Sequence, residues 1–145
     1  MHKNAKGKSR EERVKQSMRR ERSVLDYEGY IPIGNAARKL KKWGAEGAKI
    51  IYLSSHKNAE DVKKDKAVLK KYKFPAGKIV FRNKREKYKN VIERTAPDIL
   101  IEDDCESIGG KKEMAITNVK KEIKNKIKSI VVKEFEGIDS LPDKI

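Results

Sequence analysis

The stretch that decides the fold is PDILIEDDCESIGG, which occupies positions 97–110. Ile99, Leu100 and Ile101 form a short apolar run bounded by a proline and a pair of glycines, a pattern that predicts a buried β-strand. Three acids follow this run at positions 102–104. Because ligands of an open parallel sheet bind just beyond the carboxyl ends of its strands, we expect these acids to lie at a functional edge.

The three acids, Glu102, Asp103 and Asp104, have two interpretations. Adjacent carboxylates repel one another, so a cation has to offset their charge. Carboxylate oxygens suit Mg²⁺, a hard cation that binds through one or two carboxylates together with water and phosphate. The alternative is an acidic loop that nearby lysines neutralise, and the motif alone favours neither interpretation.

The overall charge balance is strongly basic. The chain has 145 residues, with 37 Lys and Arg against 22 Asp and Glu, and a net charge of +15. Such a field attracts polyanions, so nucleic acid and nucleotides are candidate partners, although a Lys-rich surface also serves solubility alone. A single cysteine, Cys105, excludes an internal disulfide and fits a reducing compartment. No apolar run approaches the roughly 18 residues of a membrane span, so we expect a cytoplasmic protein without membrane contact.

The first 23 residues carry nine Lys and Arg against three Glu. Ser9 followed by Glu12 is typical of a capping box and predicts a helix from about Arg10 to Arg20. Val14 and Met18 are the only apolar pair of this helix, so the segment can bury little surface. It is either a solvated arm or a lid that lies over a site.

The rest of the chain alternates between helical and strand patterns. We expect a basic N-terminal arm and connector at residues 1–33 and an α/β domain at residues 34–145. The domain's apolar runs carry no polar alternation, as in strands covered on both faces. Predicted helices begin near residues 35, 58, 88 and 119, and predicted strands are 48–53, 79–81, 99–101 and 130–132. This order favours a doubly wound, mainly parallel sheet in a three-layer, Rossmann-type α/β fold.

Polar groups follow two of these predicted strands, and a basic run lies between them. Ser54 ends the run GAKIIYLS at positions 47–54. Lys87 stands just before a later predicted helix, and Asp103 and Asp104 follow the strand at 99–101. The chain therefore places polar groups at two strand ends, residues 54–56 and 102–104, with the basic run of residues 82–89 between them in sequence.

In order and placement, these groups resemble the haloacid dehalogenase-like (HAD) superfamily of phosphohydrolases, over roughly residues 31–132. The resemblance implies a Mg²⁺-dependent protein that acts on or binds a phosphorylated small molecule or nucleotide. The implied ligands are side chains that hold phosphate, Ser54 and Lys87 with Lys84 as second choice, and side chains that hold Mg²⁺, Asp103 and Asp104. Phosphoryl transfer needs positioning and electrostatic stabilisation, which such a set supplies.

The sequence departs from the family pattern at the nucleophile. Family members use an aspartate in an Asp-X-Asp motif at the end of the first strand, where it forms an aspartyl-phosphate. Asp26 mimics the spacing, but residues 18–23 are nearly all charged and cannot form a strand buried on both faces. Asp26 is therefore a weak candidate, with a capping or hydrogen-bonding turn residue as the alternative, and no catalytic residue is identified.

The missing motif leads to an expectation about the chain itself. Without a first strand, the sheet has a gap with unpaired backbone groups. We expect the natural protein to begin before Met1 with the absent strand, and a chain that lacks it to be inactive or nearly so. The alternatives are that residues 24–33 or another chain fill the gap.

Three functions remain open from the sequence. The first is the Mg²⁺-dependent phosphohydrolase-like protein, in which His56 is a further candidate for a phosphate or leaving-group contact. The second is a non-catalytic nucleic-acid-binding module that uses the basic surface, and the third is a structural protein without a ligand. The thiol of Cys105, beside acids, is expected to have a raised pKa and to be a packed residue.

Overall fold

The computed structural model describes residues 1–83 and 85–145, which form a mixed α/β structure with short 3₁₀ helices in the connections. The helices are α1 (Arg10–Met18), α2 (Ala36–Ala45), α3 (Ala59–Lys71), α4 (Tyr88–Thr95) and α5 (Lys121–Lys124). The strands are β1 (Ile51–Ser54), β2 (Lys78–Phe81), β3 (Ile99–Asp103) and β4 (Lys128–Val132). Helices and strands alternate in the predicted order. Of the helices described, none has both the length and the apolar composition needed to cross a bilayer.

Local sequence signals account for several helix ends. Ser9 Oγ accepts a hydrogen bond from the N–H of Glu12, and the Glu12 carboxylate accepts one from the N–H of Ser9, which completes the predicted capping box. Asn58 caps α3 by accepting from the N–H of Asp61. Helix α4 ends just before Pro97, as the restriction on the residue preceding a proline predicts.

The four strands form two parallel pairs. β1 pairs with β2, with Ser54 opposite Phe81 at the carboxyl ends, and β3 pairs with β4, with Asp103 opposite Val132. Helices α3 and α5 connect the strands within the two pairs, and α4 connects one pair to the other. Between the described residues, no strand pairing joins β1 or β2 to β3 or β4. The predicted parallel α/β class is therefore confirmed, with the strands in two pairs.

One hydrophobic core spans both pairs. Its centre is Ile92 of α4, which is 2% exposed, together with Leu100 of β3. Leu53 of β1 packs against this cluster, so the first strand pair contributes to the same core as the second. The remaining buried members come from the chain after β3: Met114, Ala115, Ile116, Val119 and Ile127.

The N-terminal arm packs against the rest of the structure. Val14 of α1 is 6% exposed, and His2 and Ala5 are buried. Helix α1 contacts the 3₁₀ helix Glu106–Ile108, which directly follows the acidic strand. The arm therefore packs on the segment that follows β3 and is not a fully solvated arm.

Two segments differ from the sequence-based expectation. The repeat of Val119, Ile123 and Ile127 predicts one continuous helix, but α5 covers only Lys121–Lys124. Val119 and Ile127 enter the core from either side of this short helix, and β4 begins directly afterwards. Residues 24–33, a candidate for the gap in the sheet, form 3₁₀ turns and irregular chain.

Candidate functional site

Two adjoining clefts open where the strands end. The large cleft has a volume of about 1080 Å³ and is lined by Ser54 at the end of β1 and Asp103 at the end of β3. The small cleft, of about 420 Å³, is lined by residues around the start of α4 and by the loop 112–118. Lys57 and Arg82 line both clefts, so the two are continuous at these side chains.

A carboxylate of α3 organises the floor of the large cleft. The hydroxyl of Ser54 donates to Oδ2 of Asp65 at 2.7 Å, and Ser54 is 8% exposed. The other oxygen of Asp65 lies 3.5 Å from Nε2 of His56. The ring of His56 in turn lies against Tyr27, with 4.4 Å between the ring centroids. Asp65 therefore fixes the predicted phosphate-binding hydroxyl and lies close to the neighbouring imidazole.

The small cleft is basic. Two carboxylates also line it, and one of them, Glu86, forms an ion pair with Arg94 at 3.1 Å. Within the described part of the chain, the four lysines of the cleft form no ion pair. The cationic side chains that line the cleft are Lys57, Arg82, Lys87, Lys89 and Lys112. The cleft therefore has an excess of positive charge, and Lys87 belongs to that excess.

Among these cationic side chains, Arg82 is held in place by contacts with two other residues. Its Nε donates to the carbonyl oxygen of Ser55 at 2.8 Å, and the guanidinium carbon lies 5.9 Å from the centroid of the Tyr88 ring. Both contacts hold the guanidinium at the junction of the two clefts. A planar guanidinium in a fixed place binds phosphate oxygens with directed hydrogen bonds, which a free lysine ammonium does not.

The acidic triplet separates into three roles. Glu102 is half-buried, and its carboxylate accepts hydrogen bonds from the N–H groups of Ala115 at 2.6 Å and Ile116 at 3.1 Å. Burial raises the pKa of Glu102, and the two hydrogen bonds act against that rise. Glu102 therefore fixes the loop after β3.

Asp103 and Asp104 point to different neighbours. Asp103 is exposed and lines the large cleft, and its Oδ1 accepts from the N–H of Cys105 at 2.8 Å. Asp104 accepts from the N–H of Glu134 at 3.0 Å and lies 3.6 Å from Nη2 of Arg10. The structure therefore brings Asp103 together with Ser54 in one cleft, whereas Asp104 joins the N-terminal arm to the end of β4.

Arg10 supplies the positive charge that the acidic segment needs. Besides Asp104, it pairs with Glu106 and donates to the carbonyl oxygen of Glu134 at 3.1 Å. The hydrogen bond with Glu106 and the nearby carboxylates raise the pKa of Arg10, so its charge is permanent at any ordinary pH. An arginine of the arm, rather than a lysine of the domain, balances these acids.

Of the two acids predicted to hold Mg²⁺, Asp103 is the one that lines a described cleft. One carboxylate oxygen of Asp103 has no hydrogen bond to any described residue. Asp103 lines the large cleft, which adjoins the small cleft and its five cationic side chains. Asp104 is occupied by Arg10 and a backbone N–H. No group of three or more His, Cys, Asp or Glu side chains in residues 1–83 and 85–145 is arranged to hold a metal ion. Such a site would use Asp103, water and ligand phosphate, the donors that Mg²⁺ commonly accepts.

Asp26, Lys84 and Cys105 are the other residues that the sequence singled out. Asp26 caps the 3₁₀ turn Tyr27–Gly29 by accepting from the N–H of Gly29, and forms an ion pair with Lys3 at 3.0 Å. These contacts lower the pKa of Asp26, and its side chain lines neither cleft. Lys84 lies outside the described residues. Burial, with help from Asp103, raises the pKa of the Cys105 thiol to about 12, in agreement with its expected inertness.

Sequence reasoning missed Asp65, Arg82 and Tyr27. Asp65 falls on the same face of α3 as Val62 and Leu69, so an acid on an otherwise apolar helix face was the available signal. Arg82 begins the basic run of residues 82–89, but nothing in that run distinguishes it from the other cations. No local pattern marks Tyr27, because its position in the cleft depends on contacts between distant segments.

The chain was compared with protein-family models, with curated proteins and with solved structures, and none of the three comparisons gave a match.

Proposed function

We propose that this protein binds a phosphorylated compound, whose phosphate occupies the small basic cleft, and that Asp103 of the large cleft would hold a Mg²⁺ ion that neutralises phosphate charge. The observation that carries the proposal is the group of five cationic side chains that line the small cleft, with Arg82 held where the two clefts adjoin. A phosphate dianion brought there would replace water by several charge-assisted hydrogen bonds.

The surroundings of the basic cleft favour an anion over a neutral ligand. Lys87, Tyr88 and Lys89 line the cleft at the N-terminus of α4, where the positive end of the helix dipole lies. The net charge of +15 adds a long-range field that raises the local concentration of anions. Bound Mg²⁺ would supply charge neutralisation between phosphate and Asp103.

The proposed activity is binding rather than turnover. The described carboxylates that line the large cleft are Asp65, Asp103 and Glu134. Asp65 holds Ser54 and lies close to His56, and Glu134 accepts from both the N–H and the hydroxyl of Ser107 at 2.7 Å. With Asp103 assigned to the metal, none of the three is left as a nucleophile. This supports a phosphohydrolase-like binding protein of the HAD type, the family that the sequence resembles.

The same proposal includes the finer fold. We infer that the two strand pairs are the halves of one doubly wound, three-layer α/β arrangement, because α4 links them and Leu53 packs on the core that contains Leu100. In such folds, ligands bind outside the carboxyl ends of the strands. Ser54, Arg82 and Asp103 lie at or just after those ends.

Isothermal titration calorimetry with inorganic phosphate, with and without Mg²⁺, tests the proposal. Arg82→Ala and Lys87→Ala should each weaken phosphate binding by at least about fivefold, the equivalent of about 1 kcal/mol for one lost charge-assisted contact. Asp103→Asn should remove the enhancement by Mg²⁺ and leave Mg²⁺-free binding unchanged.

The matched control is Lys66→Ala. Lys66 is exposed on α3 and lines neither cleft, so its removal lowers the net charge by the same amount without touching the proposed site. If Lys66→Ala weakens phosphate binding as much as Lys87→Ala does, the binding belongs to the basic surface in general and the cleft assignment is wrong.

A second candidate function is nucleic-acid binding. Arg19, Arg20 and Arg22 are exposed beside one another after α1, and Arg20 lines the large cleft. Fluorescence anisotropy with a single-stranded oligonucleotide should then give a salt slope that falls by roughly 2 when these three arginines are replaced by alanine, since each phosphate contact contributes about 0.7. Binding that persists in Asp103→Asn supports this function, and an unchanged slope in the triple variant argues against it.

A further inference from the structure

We infer that the ligand of the proposed site is an aromatic or heterocyclic phosphate, such as a nucleoside monophosphate, whose flat ring lies against Tyr27 in the large cleft. This inference rests on the proposed function, since it places the phosphate in the small basic cleft. The inference concerns the remainder of the ligand, beyond its phosphate group.

The two clefts differ in chemistry. The small cleft is cationic, whereas the large cleft is lined by several aromatic rings besides its polar floor: Tyr27, Tyr30, Tyr52, His56 and Phe135. Aliphatic side chains of β1 and α3, Leu53 and Leu69, also line it. A ligand that extends from one cleft into the other therefore needs an anionic end and an apolar, flat end.

Tyr27 lies at the centre of the aromatic wall. Its ring is 4.4 Å from that of His56 and 6.0 Å from that of Tyr30, measured between centroids. The backbone N–H of His56 donates to the hydroxyl of Ser54 at 3.3 Å, and the hydroxyl of Tyr30 donates to the carbonyl oxygen of Val24 at 2.8 Å. The neighbours of Tyr27 are thus fixed, and a preorganised aromatic wall costs little conformational entropy when a ring stacks on it.

Size and polar groups fit such a ligand. Taken singly, the clefts of about 420 Å³ and 1080 Å³ are close to the roughly 300–1,000 Å³ that is usual for sites that bind small organic molecules. The hydroxyls of Tyr30 and Tyr52 are satisfied by backbone carbonyls, whereas that of Tyr27 has no hydrogen-bond partner among the described residues. Removal of the hydroxyl in Tyr27→Phe therefore breaks no described hydrogen bond and leaves the ring available for stacking. Stacking of one base on an aromatic side chain contributes a several-fold gain in affinity.

The test compares three probes by isothermal titration calorimetry in the presence of Mg²⁺: inorganic phosphate, ribose 5-phosphate and adenosine 5′-monophosphate. The nucleotide should bind at least about fivefold more tightly than ribose 5-phosphate, the lower limit for one stacked base. Tyr27→Ala should remove that difference and leave the affinity for inorganic phosphate unchanged, and Tyr27→Phe should retain it. Tyr72→Ala is the matched control, because Tyr72 lines neither cleft.

The outcomes separate this inference from the proposed function. If all three probes bind and the nucleotide gains nothing over ribose 5-phosphate, the aromatic assignment is wrong while phosphate binding stands. If none of them binds, the proposed function itself fails and this inference fails with it. The wild-type comparison decides the matter even if Tyr27→Ala does not fold, and thermal melting shows whether it does.

Discussion

Replacing Glu102 by alanine should destabilise the protein far more than replacing its neighbour Asp103. The two acids are adjacent, but only Glu102 accepts hydrogen bonds from the N–H groups of Ala115 and Ile116. Those two residues are 3% and 5% exposed and belong to the core. Loss of the carboxylate therefore leaves two buried donors without partners.

The magnitude follows from those two donors. Each buried N–H left unsatisfied costs about 1–3 kcal/mol, so the pair costs about 2–6 kcal/mol. Burial raises the pKa of Glu102, so the charged carboxylate already has a desolvation cost that the variant no longer bears. We therefore expect the lower half of the range, about 2–4 kcal/mol, or roughly 10 °C in Tm for a chain of this size. Asp103→Ala loses one hydrogen bond at an exposed site and should cost less than about 1 kcal/mol.

Urea unfolding at pH 7, followed by the fluorescence of the buried Trp43, measures both variants. Glu102→Gln retains one acceptor oxygen and should fall between the wild type and Glu102→Ala. Equal destabilisation by Glu102→Ala and Asp103→Ala would refute the division of the acidic triplet into a structural and a ligand-facing residue.

Three further predictions concern the core, the arm and alkaline pH. Ile92→Ala should lower the free energy of unfolding by about 2–5 kcal/mol, whereas Ile108→Ala, at a position 66% exposed, should change it by less than about 0.5 kcal/mol; equal effects in urea unfolding would contradict the described core. Arg10→Ala should speed amide exchange throughout α1, and unchanged exchange would show that the contacts of Arg10 do not hold the arm. Burial raises the pKa of Cys105 and of Tyr30 to about 12, so the folded state keeps protons that the unfolded chain loses above about pH 9. Stability should therefore decrease as pH rises from 9 towards 12, and the double variant Cys105→Ala, Tyr30→Phe should show a shallower decrease in its urea midpoint.

Much of the fold is local and could be predicted. The capping box at Ser9 and Glu12, the Asn58 cap and the apolar strand before the acids each depend on neighbouring residues, and each appears as expected. The alternation of helices and strands follows from the same local periodicities. The continuous helix predicted from Val119 and Ile127 was wrong, because these side chains are buried by contacts with α4 and β3 that outweigh the helical spacing.

The site was less accessible to sequence reasoning. Lys87 in a basic cleft and Asp103 at a strand end were named from the sequence, but the partners that decide their chemistry are distant in the chain. Arg10 meets Asp104 across 94 positions in sequence, and Asp65 reaches Ser54 from the next helix. Such pairings depend on tertiary packing, which single-sequence patterns do not encode.

The most direct test of the central claim is a ¹⁵N chemical-shift titration of the protein with inorganic phosphate and Mg²⁺. Phosphate bound in the small cleft predicts saturable shifts concentrated at the amides of Lys57, Arg82 and Lys87, with a Mg²⁺-dependent shift at Asp103. Shifts spread evenly over the exposed lysines of α2 and α3, or no saturable shift at the two clefts, would contradict the claim.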